Sequence, residues 1–148
     1  MSRAMHVAIV DDEQDMRQSI SQWLALSGFS TETYADGAAA LAAIDSDFPG
    51  VVITDIRMPG LDGMGLLKRL NALDSTIPVI LITGHGDVPM AVEAMRLGAF
   101  DFLEKPFDPE KMMALAERAA KTRAQAMEAR ALRTELADGA TMMRRLVG

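Results

Sequence analysis

Apolar residues in this chain gather in short runs separated by longer segments of helical period, and the two patterns alternate from the amino terminus to about residue 120. Residues 6–10, 51–54, 78–82 and 100–103 are near-continuously apolar and strand-sized, the pattern of strands covered on both faces in a parallel sheet. Residues 29–34 alternate instead, which predicts a short strand at or near a sheet edge. Between the strands, residues 14–27 carry a stripe of Met16, Ile20, Trp23, Leu24 and Leu26 ended by Gly28, a helix with a left-handed stop. Asp36 is placed to cap an alanine-rich helix through about residue 46, and residues 64–73 turn Leu66, Leu67 and Leu70 inward. Asp87 is placed to cap a helix that tolerates Pro89 in its first turn and stops at Gly98, and Asp108-Pro109 opens a last helix. Five βα units with short connections predict an α/β fold with a doubly wound parallel sheet.

The polar residues that interrupt this pattern fall at the carboxyl ends of the strands, where open α/β sheets bind their ligands. Asp11-Asp12-Glu13 follows the first strand, Asp55 ends the third, Thr83-Gly84-His85-Gly86 follows the fourth and Glu104-Lys105-Pro106 the fifth. If the strands are parallel, three Asp, a Thr hydroxyl and a Lys converge on one edge. Crowded carboxylates repel one another unless a cation neutralises them. A hard divalent ion such as Mg²⁺ suits the set, with Asp12 and Asp55 as direct ligands, the carbonyl of Arg57 as a third and Asp11 acting through a bound water. An aspartate beside such an ion can attack phosphorus to give an acyl phosphate, whose oxygens then need fixed positive charge and a hydroxyl donor. Lys105 and Thr83 are in place to supply them.

Composition narrows the class. A chain of 148 residues that is 49% hydrophobic holds one well-buried α/β domain and an appendage. It has no Cys, residues 1–6 do not resemble a cleavable signal, and its apolar runs fall far short of the roughly 20 residues that span a bilayer, so a cytoplasmic protein is expected. A net charge of −6 argues against direct nucleic-acid contact. The charge divides near Asp108-Pro109: 7 Lys/Arg against 16 Asp/Glu before it, 8 against 5 after it. Residues 109–137 have no Gly and no Pro after the first, and as a helix would run roughly 43 Å at 1.5 Å per residue. Met112, Leu115, Ala116 and Ala119 can cover the sheet. Met127, Ala131, Leu132 and Leu136 continue a weak stripe with nothing of their own to cover, which implies a partner helix, most simply that of a second subunit in a coiled coil. The competing expectation is a solvated linker that frays, with the charges from Glu117 to Arg133 as a wet face. Residues 138–148 begin a new amphipathic turn.

Asp11-Asp12, Asp55 with the following Met58-Pro59-Gly60-Leu61-Asp62-Gly63, Thr83-Gly84 and Lys105-Pro106 together resemble the receiver domain of bacterial two-component response regulators, over roughly residues 5–120. The resemblance implies a flavodoxin-like five-stranded sheet in the order 2-1-3-4-5, followed by an extended C-terminal helix. It makes Asp55 the residue phosphorylated by a sensor histidine kinase, Asp11 and Asp12 the acidic pair that binds Mg²⁺, and Lys105 the phosphate-binding cation. Thr83 becomes the switch hydroxyl and Phe102 the aromatic switch, and Lys105-Pro106 is expected cis. Such a domain is no enzyme in the ordinary sense, though it catalyses its own phosphorylation and dephosphorylation. The segment after the long helix resembles the start of the AAA+ ATPase module of NtrC-like activators of σ54 RNA polymerase, and residues 84–95 and 100–107 are most similar to regulators of C4-dicarboxylate transport. FixJ-like regulators share much of the same text and stand as the alternative. Residues 1–148 hold no Walker motif and no helix-turn-helix, so a regulatory fragment is expected, with its ATPase and DNA-binding modules elsewhere.

Rival readings explain less. An aspartyl-nucleophile phosphatase of the haloacid-dehalogenase type needs a second Asp two residues after the nucleophile, where this chain has Arg57. A flavodoxin-like nucleotide or flavin binder leaves the acidic cluster without a task, and the glycine fingerprint begun at Gly84 fails at Pro89. Glu13 and Asp15 read as helix-end charges, His85 as a loop residue at the rim, and His6 as structural.

Overall fold

The structure, a computed structural model, describes residues 5–84 and 86–147, with side chains placed through Ala137. Strands β1 (His6–Val10), β2 (Ser30–Tyr34), β3 (Gly50–Asp55), β4 (Val79–Thr83) and β5 (Asp101–Glu104) alternate with helices α1 (Gln14–Leu26), α2 (Gly37–Ala43), α3 (Gly63–Leu73), α4 (Val88–Arg96) and α5 (Pro109–Val147). Every ladder is parallel and the order is β2-β1-β3-β4-β5, as expected for the flavodoxin-like fold. The winding reverses between β1 and β3, which opens a crevice at their carboxyl ends.

Strand alternation divides the core into two layers. Ala8, Val10, Val52, Val79 and Leu81 face α2, α3 and α4 through Ala40, Leu66, Leu67, Leu70 and Ala94. Val7, Ile9, Val51, Ile53, Ile80 and Ile82 face α1 and α5 through Ile20, Leu24, Met112, Leu115, Ala116 and Ala119. Covered on both faces, β1, β3 and β4 need no polar alternation, whereas the edge strand β2 has partly or fully exposed residues throughout. Gly28, at φ +94°, ends α1 in the left-handed conformation that a side chain would resist. Among the described residues no helix is long and apolar enough to cross a membrane.

Three local expectations change. The second helix stops at Ala43, because Asp45 turns its carboxylate to the amide of Asp47 (2.9 Å) and its carbonyl to that of Phe48 (3.1 Å) while Ile44 and Phe48 enter the core. Asp87 stands at the start of α4 without capping it; its carboxylate is taken by the guanidinium of Arg57. The last helix continues through Gly139 to Val147 in place of a new turn after residue 137, which a single interior Gly allows at about 1 kcal/mol. The side-chain pattern expected at residues 138–148, and the rim position expected for His85, lie outside the described residues.

The wet face expected of residues 117–133 is interrupted by Arg123, which is fully buried. Its Nε donates to the carbonyl of Phe48 (3.0 Å), one terminal nitrogen to Asp74 Oδ2 (2.9 Å) and Thr76 Oγ1, and the other to the carbonyl of Ser46 (2.9 Å). One turn-pair later Arg130 reaches Ser46 (3.0 Å) and Asp74 (3.4 Å). The two arginines thus pin α5 to the loops that enter β3 and β4, at the edge of the sheet opposite the acidic residues. Burial alone would raise the pKa of Asp74, but hydrogen bonds from the Thr76 hydroxyl and amide and the charge of Arg123 outweigh it and hold it down to about 2.

Replacing Arg123 by Met should therefore cost about 3 kcal/mol in urea unfolding at pH 7, because the buried Phe48 carbonyl loses its guanidinium donor and the Ser46 carbonyl and Asp74 are left to Arg130 and Thr76. Since the folded pKa of Asp74 lies below its unfolded value, its contribution is present above about pH 4 and is lost as pH falls toward 2. Asp74→Asn should flatten that part of the pH–stability curve, and unchanged acid dependence would show that Asp74 is not its source.

Candidate acidic site at the strand ends

The crevice is built from residues that have just left the sheet. The amide of Asp11 extends the β1–β2 ladder by one bond to Tyr34 (3.1 Å), which fixes the backbone and turns the side chain into the crevice. Its Oδ1 accepts the Glu13 amide (2.9 Å), while Oδ2 is buried and has no hydrogen-bond partner among the described residues. Asp12 is exposed beside it. Asp55 is the last residue of β3 and is buried. The next residue, Ile56, bonds Ile82 (3.0 Å) and receives the amide of Gly63 (3.1 Å), so the loop after Asp55 returns tightly under it. A Cβ at Gly63 would collide with the Asp55 carbonyl, which is why a glycine opens α3.

Lys105 comes from the far side. Its amide bonds the Thr83 carbonyl (2.8 Å), the Lys105-Pro106 bond is cis as expected, and its Nζ donates to Asp55 Oδ2 at 3.0 Å. The other Asp55 oxygen accepts the Arg57 amide at 3.2 Å. One carboxylate oxygen from each of Asp11, Asp12 and Asp55 lies within 4.8 Å of the others. Burial, reinforced by the Asp55 charge, pushes Asp11 up to about 6 against the pull of the Glu13 amide and Lys105. Burial opposes the charge of Lys105, yet its bond to Asp55 and the surrounding carboxylates raise its pKa. An all-oxygen donor set with an unpartnered buried oxygen and crowded negative charge fits a hard divalent cation, and would suit Mg²⁺.

Asp11, Asp12, Asp55, the Arg57 backbone and Lys105 are thus brought together. The Thr83 hydroxyl is directed elsewhere: Thr83 is buried at the end of β4 and its Oγ1 donates to the Leu103 carbonyl (3.3 Å) on β5. Phe102 stands in register with Leu81 and packs half-buried on the α2–α3–α4 side. Two features escaped sequence reasoning. The Arg57 side chain reaches across to Asp87, with Nε 2.8 Å from both oxygens and a terminal nitrogen 2.7 Å from Oδ1, so one residue touches Asp55 through its backbone and α4 through its side chain. Trp23 stacks edge-on against Phe107 at 6.2 Å, in a cleft shared with Met16, Gly84, Lys105 and Pro106. Neither pairing has a local sequence signal, since each joins residues 30 or more apart that only the topology makes neighbours.

Residues 7–117 match the family model described as the response regulator receiver domain. The chain is 47% identical over 133 residues to the C4-dicarboxylate transport transcriptional regulatory protein DctD of Rhizobium meliloti, covering 90% of this chain but 29% of that protein. It is 43% identical over 137 residues to the transcriptional regulatory protein FixJ of Bradyrhizobium diazoefficiens, covering 93% and 67%. Among solved structures, a response regulator receiver domain protein from Clostridium thermocellum superposes with a TM-score of 0.79 at 30% identity, over 82% of this chain and 98% of that one. The fold, the strand-end acidic cluster and the match over residues 7–117 agree, and the chain belongs to the response regulator receiver domain family.

Proposed function

We propose that Asp55 accepts a phosphoryl group from a sensor histidine kinase and that the modified domain controls an attached transcription-activating module. The observation that carries this reading is the Lys105 Nζ to Asp55 Oδ2 contact of 3.0 Å inside a three-aspartate cluster. Both oxygens of Asp55 are held, one by an amide and one by an ammonium, so the carboxylate is oriented before any donor arrives. One Asp55 oxygen attacks phosphorus as the bond from phosphorus to the donor imidazole nitrogen breaks, the electron pair leaving with the ring. Lys105, released from the carboxylate, then faces the new phosphoryl oxygens.

In this reading Asp12, Asp55 and the Arg57 carbonyl hold Mg²⁺, and Asp11 acts through a water, for which its unpartnered Oδ2 is an acceptor. The ion, when bound, supplies charge neutralisation for the transferring phosphoryl group. The same residues also serve self-phosphorylation from small acyl phosphates and the later hydrolysis. Thr83 is the switch hydroxyl: a rotation away from Leu103 brings it toward a phosphoryl group and vacates space into which Phe102 moves.

The overhanging part of α5 pairs with that of a second copy, and phosphorylation rearranges the dimer. Downstream we place an AAA+ ATPase and a DNA-binding module, for which a relative that is a transcriptional regulatory protein and of which this chain spans 29% leaves room; we read the protein as cytoplasmic. A FixJ-type output module is the second reading, supported by 43% identity to FixJ over 93% of the chain.

With Mg²⁺ and acetyl phosphate the protein should gain a single hydroxylamine-labile phosphate by mass spectrometry, and Asp55→Asn should gain none. Labelling that persists in Asp55→Asn would sink the acceptor assignment. Lys105→Ala should keep metal binding while losing the change in oligomeric state.

Chelation by EDTA should abolish labelling, and Asp12→Ala should weaken Mg²⁺ binding more than Asp11→Ala, read from Trp23 fluorescence beside the Lys105 loop. A proton on Asp11 opposes the ion, so with its pKa near 6 the affinity should rise by about tenfold from pH 5 to pH 7. A flat profile over that window would remove Asp11 from the metal site.

A further inference from the structure

Arg57 is held at two points. Its amide donates to Asp55 Oδ1 at 3.2 Å, and its guanidinium grips Asp87 as a fork, with Nε 2.8 Å from both carboxylate oxygens and a terminal nitrogen 2.7 Å from Oδ1. Behind it Ile56 is locked to the sheet by its bonds to Ile82 and Gly63, and ahead of it Met58 enters the core. Beyond Met58 the loop opens, with Gly60 at φ +74° where an added Cβ would meet nothing. The Arg57 carbonyl therefore belongs to a peptide slung between two side-chain anchors, Met58 in the core and Arg57 on Asp87. Loss of either anchor frees that peptide to turn.

The choice of Asp87 as anchor has no local cause. The charge of Asp62 also faces the guanidinium, but its carboxylate caps α3 through the Gly65 amide (2.8 Å). Asp87 stands at the N-cap of α4, where an aspartate ordinarily accepts an amide of its own helix, and it makes no such bond. Its carboxylate is given instead to a loop from the neighbouring strand end, 30 residues away in the chain.

We infer that Asp87, acting through the Arg57 side chain, positions the Arg57 carbonyl for a divalent cation. This rests on the metal reading proposed above and adds to it a residue on α4 that holds no ion itself. Asp87 is a positioning residue in the sense in which outer partners orient the ligands of a metal site. Coupling of this kind is reciprocal. A carbonyl fixed by coordination steadies the root of the Arg57 side chain, and with it the hold on Asp87 and the first turn of α4, where the Ala91 amide bonds the Asp87 carbonyl (3.1 Å).

Mg²⁺ itself is the probe, titrated into the full chain at high salt, where charge effects through solvent are screened, and read by Trp23 fluorescence. An exposed ion pair is worth little, so the expected loss is modest. Arg57→Gln and Asp87→Asn should each bind Mg²⁺ about threefold more weakly than the parent, and the double variant no more weakly than either alone. Charge alone predicts opposite signs, since removing the cation tightens binding and removing the anion loosens it. Arg57→Gln that binds as tightly as the parent, or more so, would overturn the tether, as would Asp87→Asn without loss. Amide exchange gives a readout independent of Trp23: saturating Mg²⁺ should slow exchange at Ala91 at least about twofold in the parent and leave it unchanged in Arg57→Gln. Equal slowing in both would overturn the coupling to α4. A parent that binds no Mg²⁺ would overturn the metal reading and the tether with it, whereas a parent that binds it and is matched by both variants would overturn the tether alone.

Discussion

Two carboxylates buried side by side are the constraint on which the rest of this structure depends. Asp11 and Asp55 are almost wholly removed from water, close enough to repel, with Asp12 at the mouth. Burial, with the Asp55 charge beside it, disfavours ionisation of Asp11 and raises its pKa to about 6. The Lys105 charge offsets part of it, but its Nζ bonds Asp55 Oδ2, and Asp11 Oδ2 has no hydrogen-bond partner among the described residues. The protein's own residues therefore leave the site short of positive charge, which is why a hard divalent cation fits it.

The topology supplies this crowding without strain elsewhere. Reversal of winding between β1 and β3 leaves their carboxyl ends uncovered, and Lys105, whose amide bonds the Thr83 carbonyl at the end of β4, brings its Nζ to Asp55 at the end of β3. The acidic residues and Lys105 were legible in the sequence because each directly follows an apolar run, so strand assignment and site assignment are one inference. Helix ends were legible where a single residue decides them, as at Gly28 and Asp36, whose carboxylate accepts the Ala39 amide at 2.7 Å. The end of α2 was not, because tertiary burial of Ile44 and Phe48 overrides the helix propensity of the alanines. Nor was the setting of Thr83, whose hydroxyl chooses between the crevice and a β5 carbonyl on grounds that no spacing encodes.

Arg123 shows the same limit from the other direction. In sequence it is one of several charges on a helix rich in Ala, Glu and Arg, and a solvated face is the natural expectation. Its burial depends on two loops, at residues 46–48 and 74–76, whose carbonyls and carboxylate happen to converge where the helix passes. Periodicity finds apolar seams; it does not find a buried guanidinium whose acceptors are scattered over the chain.

The two arginine ties differ in strength, and the difference assigns the mobile part of the domain. Arg57 holds Asp87 from a largely exposed position, where solvent screening leaves an ion pair worth little even with good geometry. Helix α4, which Asp87 starts, is joined to β4 through a loop that contains Gly84 and Gly86, the latter at φ +95°. Arg123 instead is fully buried and satisfies four acceptors, of which the Ser46 carbonyl and Asp74 would be left to Arg130 and Thr76 and the Phe48 carbonyl would lose its guanidinium donor on its displacement. A perturbation at Asp55, one residue from the Ile56–Ile82 bond and two from Arg57, meets the weak tie first. The α4 end of the molecule is accordingly where rearrangement costs least, and α5 is the rigid element that carries the resulting change of surface to whatever it contacts.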